Sequence, residues 1–102
     1  MNSLKSMAKK EDEVVVITSI YVNIIDTILN FPHPKNLQKS FMYLHRVEEA
    51  LNALENSHRE LIENDFIDGS HPEWWRNVYS CKSYLNLRYQ AVGSFLVHFY
   101  GS

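Results

Sequence analysis

The chain alternates amphipathic stretches with short polar breaks, and the breaks set its organisation. Between Asp12 and Phe31 the polar residues Ser19, Asn23, Asp26, Thr27 and Asn30 recur at helical intervals. Ile17, Ile20, Tyr21, Ile24, Ile25, Ile28 and Leu29 fill the complementary stripe. That period outweighs the strand propensity of Val14-Val15-Val16-Ile17 and predicts a helix over 12–31. The acidic residues 11–13 would stabilise the positive end of its dipole. Phe31-Pro32-His33-Pro34 stops it, because each proline disfavours helical conformation in the residue before it.

A second helix is predicted after Pro34, where Leu37, Phe41, Leu44, Val47, Leu51 and Leu54 step by three and four. Ser57-His58-Arg59-Glu60 fits a capping box and predicts a third helix over 58–66, with Leu61, Ile62 and Phe66 inward. Asp68-Gly69-Ser70 reads as a turn. Ser70-His71-Pro72-Glu73 repeats the capping pattern with proline near the first helical position, and predicts a short helix over 72–79. Ser80 then caps a last helix over 81–100. Its inward stripe is Tyr84, Leu85, Leu87 or the stem of Arg88, Ala91, Val92, Phe95, Leu96 and Phe99. Gly93 inside it is a mild penalty that permits close packing.

The expected fold is therefore all-α: a small orthogonal bundle of five helices. Residues 1–11 read as a flexible arm and 12–102 as a single domain. Within it, 57–100 has the order short helix, tight turn and long helix that a helix-turn-helix requires. The outward positions of the last helix include Lys82, Ser83, Asn86, Tyr89 and Gln90. Asn and Gln can pair with adenine edges, and Lys or Ser can bind phosphate or bases. Arg88 joins them as a further candidate, with its stem bordering the core. Any antiparallel helical bundle has such a joint and a polar outer face, so topology alone leaves a protein-interaction module open.

Composition narrows the field. The 102 residues carry ten Lys+Arg against twelve Asp+Glu, and 45% are hydrophobic. This is enough apolar material for one packed domain. A single cysteine excludes a disulfide framework and suits a reducing compartment. The stretch Val14 to Leu29 contains Thr18, Ser19, Asn23 and Asp26, too polar and too short to span a bilayer, and no signal-peptide pattern is visible. A cytoplasmic protein that does not enter the membrane is the expectation.

Regional charge changes the picture more than the total. Residues 69–102 carry Arg76, Lys82 and Arg88 against Glu73, while residues 40–68 carry Arg46 and Arg59 against seven acids. Three cations supply few phosphate contacts, so duplex DNA would be held weakly without a partner.

Ala50-Leu51-Asn52-Ala53-Leu54, then Arg59-Glu60-Leu61-Ile62 and Asp65-Phe66, resembles the opening helices of bacterial sigma factor region 4. Trp75, Tyr79-Ser80, Ser83-Tyr84, Leu87-Arg88, Ala91 and Phe95-Leu96 is similar to the ending of ArpU-type phage late-gene regulators and related small phage and mycoplasma proteins. The resemblance covers residues 44–97. It implies a sigma-like helix-turn-helix with a recognition helix over 81–92. The role it implies is transcription-associated, with duplex DNA and RNA polymerase or another protein as partners.

Other chemistry is not expected. Glu55-Asn56-Ser57-His58 has one Glu-x-x-His where a di-iron bundle needs two, and His33, His45, His71 and His98 have no paired spacing. Cys81 falls in the first turn of a helix, where the dipole lowers a thiol pKa, but no clear base stands near it in sequence, and a lone cysteine is most often a small buried residue. No Gly-rich phosphate loop or nucleophile elbow is present, so neither enzyme nor cofactor is expected. Trp74-Trp75 with Tyr79 and Tyr84 reads as core, with Trp75 the plug and an aromatic platform the alternative. The first helix holds more apolar residues than one face needs, with Val14, Val15, Val16 and Val22 flanking its stripe; they complete the core if the bundle covers this helix, and offer a partner surface or a homodimer through 12–31 if it is half covered.

Overall fold

The computed structural model describes residues 3–31 and 37–101. Among these the chain is all-helical. Helix α1 spans Ser3–Asn30, α2 Leu37–Asn52, α3 Asn56–Ile62 and α4 Cys81–Tyr100, and a π-helical segment, Glu63–Asp68, continues α3. The core takes Val14, Ile17 and Tyr21 from α1, Val47, Ala50 and Leu51 from α2, Leu61 and Ile62 from α3, and Ala91, Val92, Phe95, Leu96 and Phe99 from α4. Leu54, just past α2, closes the same cluster. No helix among the described residues is long and apolar enough to cross a membrane.

Helix α1 begins at Ser3, so the expected arm is helical from that residue on. Met7, Ala8, Lys9 and Lys10 are good helix formers, and nothing interrupts them before the β-branched stretch. Residues 1 and 2, and the proline stop at 32–36, lie outside the described residues. The inner face of α1 is also narrower than the predicted stripe. Val14 and Thr18 are buried, whereas Ile20 and Leu29 are exposed, Leu29 at 76%. Thr18 tolerates burial because its hydroxyl donates to the Val14 carbonyl at 2.8 Å. The wide apolar excess of α1 stays on the surface at Val15, Val16 and Val22.

Other departures are local. In α2, Phe41 of the predicted inward stripe is half exposed. Ser57 is not a cap, because α3 starts at Asn56 and Arg59 N–H donates to the Glu55 carbonyl at 2.9 Å, leaving Ser57 inside the helix. The helix predicted over 72–79 is a run of turns. Trp74 N–H donates to His71, Arg76 to Glu73 and Val78 to Trp75, at 3.0 to 3.1 Å. These three-residue closures suit a segment too short to nucleate a regular helix, with Pro72 lacking a donor. Ser80 does cap α4, its Oγ accepting from Ser83 N–H at 3.1 Å. Leu85, predicted inward, is half exposed.

This division between inner and outer faces is testable. Leu61 is fully buried, so Leu61→Ala should lower stability by about 3 kcal/mol through lost burial and a cavity. Val16→Ala, on the exposed side of α1, should stay within about 0.5 kcal/mol of the parent in urea denaturation.

Candidate functional site

Asp65 lies seven positions after the buried His58, about two helical turns on, so it returns to the side of α3 that packs inward. The π-helical segment carrying it ends at Gly69, whose N–H donates back to the Asn64 carbonyl at 3.0 Å and whose φ of 68° suits glycine. Asp65 is thereby held between the turns at 71–79 and the first half of α4. Its side chain is only 6% exposed.

Three donors converge on this carboxylate. Trp74 Nε1–H donates to Oδ1 at 2.8 Å. Arg88 Nη1 donates to Oδ2 at 2.8 Å, and the Tyr84 hydroxyl donates to the same oxygen. Arg88 then reaches α1, its Nε and Nη2 donating to the two carboxylate oxygens of Glu11 at 2.9 and 3.0 Å. Bidentate pairing of this kind fixes orientation as well as charge. The guanidinium also lies over the Phe66 ring, 4.7 Å from its centroid. Trp75 stacks on Tyr84 at 4.3 Å, and Trp74 meets Tyr84 edge-on at 6.3 Å. Trp74 and Trp75 thus clamp Tyr84 together, both half buried, in place of a single Trp75 plug.

Burial works against the charge of Arg88, but its bonds to Glu11 and Tyr84 outweigh that penalty and hold its pKa above the ordinary value. Burial first, and then donation to Asp65, pushes the Tyr84 phenol up. A cation balanced by two carboxylates and fully bonded is a structural joint with no group left to react.

Arg88 therefore leaves the outward set of candidates. The other five, Lys82, Ser83, Asn86, Tyr89 and Gln90, are all exposed on α4. Leu85, Val97 and Tyr100 are exposed beside them, apolar positions that a pattern of polar readers of DNA does not include. Leu85 stands four residues from Tyr89, and Val97 and Tyr100 stand four and seven from Gly93, which is the signal the sequence holds. Of the other cations in this third of the chain, Arg76 lies 3.5 Å from Glu73. Lys82 is the one Lys or Arg on the outward side of α4. Cys81 is exposed rather than buried. No group of three His, Cys, Asp or Glu side chains able to hold a metal occurs among the described residues.

Comparison with protein-family models, curated proteins and solved structures returned no match.

Two measurements probe the joint. Trp74→Phe removes one charge-assisted donor to Asp65 and should cost about 1.5 kcal/mol in urea denaturation. The raised Tyr84 pKa stabilises the fold below the ordinary phenol value near 10, and that contribution is lost as pH rises through the folded-state value. Alkaline absorbance titration should show late-ionising phenols, and Tyr84→Phe should remove one of them and flatten the alkaline loss of stability.

Proposed function

We propose that the chain is a protein-interaction module that presents the outward side of α4 to a protein partner. The observation that carries this reading is the composition of that side. Leu85, Tyr89, Val97 and Tyr100 are exposed, Val97 at 66%, and from Ser83 onward the helix has no Lys or Arg except the inward Arg88. Exposed apolar side chains grouped on one face mark contact surfaces, and tyrosine is favoured there because it buries much area with little loss of rotamer freedom. A phosphate backbone offers such a face little, since affinity for duplex DNA scales with the number of cations neutralising phosphates. The resemblance to sigma region 4 puts a transcription complex, with RNA polymerase as one partner, among the settings in which such a face would act.

A second reading keeps the helix-turn-helix itself as a weak DNA reader. It is supported by the Ser80 cap, which starts α4 sharply after the compact turns at 71–79, and by the alignment of Lys82, Ser83, Asn86, Tyr89 and Gln90 along the exposed side. In this reading α3 with its π-helical continuation, the turns and α4 form the sigma-like unit.

Fluorescence anisotropy with labelled duplex DNA over a salt series separates the two. The interaction reading predicts no binding at low salt by a protein still helical by circular dichroism. Affinity that rises as salt falls, and drops in Lys82→Ala, would overturn it in favour of the DNA reader.

A further inference from the structure

Gly93 lies near the middle of α4, where glycine is a poorer helix former than alanine. Nothing inside the chain requires it. A Cβ built on Gly93 meets no atom within 4 Å, and no positive φ is involved. The glycine opens outward, in the centre of the side formed by Asn86, Tyr89, Val97 and Tyr100, at helical spacings of four and seven from it. The missing side chain is therefore a gap in the outer surface, at the place where another helix could approach most closely.

Resting on the interaction reading above, we propose that the occupant of this face is the same face of a second copy of the chain, with a two-fold axis passing at Gly93. Antiparallel pairing about that point sets residue i against residue 186 − i of the partner, by the symmetry of an isologous contact. Tyr89 then meets the partner subunit's Val97, an aromatic ring against an aliphatic side chain. Asn86 meets the partner subunit's Tyr100, an amide against a phenol. Charge favours the second copy as well. No Lys, Arg, Asp or Glu points outward between Ser83 and Tyr100, so the α4 faces of two copies bring no like charges together, and Lys82 falls beyond the end of the partner helix.

The available area fits a weak dimer. Helix α4 has 20 residues, about 30 Å of length. The patch continues onto α1, because the Tyr100 hydroxyl donates to Glu13 at 2.9 Å and the exposed Val16 follows Glu13 on the same side of its helix. A paired face of this size buries about 1,000 Å² in total, near the lower end for specific association, so a weak dimer is expected and is sought over roughly 1–1,000 μM protein.

Sedimentation velocity or light scattering on the full chain across that range tests the proposal. The expected result is a concentration-dependent dimer that Gly93→Leu weakens by roughly tenfold or more, through overpacking at the axis. The same variant should keep or gain thermal stability as a monomer, since leucine favours helix and its Cβ has open space within the chain. A parent protein that stays monomeric throughout overturns the proposal. So does a dimer indifferent to Gly93→Leu, or one abolished instead by Val15→Asp on α1. The anisotropy measurement with duplex DNA is independent of these outcomes. A monomer that ignores DNA ends the homotypic contact alone, whereas salt-dependent DNA binding ends the interaction reading beneath it.

Discussion

The bond between Arg88 and Asp65 is the joint on which the arrangement depends. It is formed by residues 23 positions apart, and each brings a different element with it. Arg88 holds α4 and, through Glu11, the early part of α1. Asp65 holds the end of α3 and, through Trp74, the turns at 71–79. Removing either partner would leave the other charge largely buried with too few bonds, which costs far more than an exposed pair is worth. The apolar core around Phe95 and Leu61 supplies the bulk of the burial, but it is non-directional. The carboxylate, with three donors in fixed directions, selects how α1, α3 and α4 meet.

The same joint determines what the surface can do. By drawing Arg88 inward it removes a cation from the helix that a DNA-binding reading would rely on. By clamping Tyr84 between Trp74 and Trp75 it fixes the start of α4, so that the side of the helix opposite Tyr84 and Phe95 faces outward as a rigid unit. That side is uncharged over most of its length and carries Tyr89, Val97 and Tyr100 around a glycine. A rigid helix face loses little freedom when it docks, which favours association even where the buried area is small.

How much of this was legible in the sequence differs from element to element. Periodicity located α2 and α4, and the Ser80 cap was visible because capping is a local event between residues three apart. The inner face of α1 is narrower than its apolar stripe, since the count of apolar residues does not say how much of a helix its neighbours cover. Ile20 and Leu29 are exposed for that reason, and Thr18 is buried because a local bond to Val14 satisfies its hydroxyl. The turns at 71–79 carry the capping pattern of a helix, but the segment is too short to nucleate a regular one and closes in three-residue turns instead. At the candidate site, the outward polar residues of α4 were legible from spacing. The role of Arg88 was not, because its partner Glu11 lies 77 residues away and no local pattern links them.

A double-mutant cycle of Asp65→Asn and Arg88→Met, with stability read by urea denaturation, tests the central role of this joint most directly. The two changes should couple by about 2 kcal/mol, the double variant being much less damaged than the sum of the singles. A coupling within about 0.5 kcal/mol of zero would contradict the account and leave apolar packing alone to orient the helices.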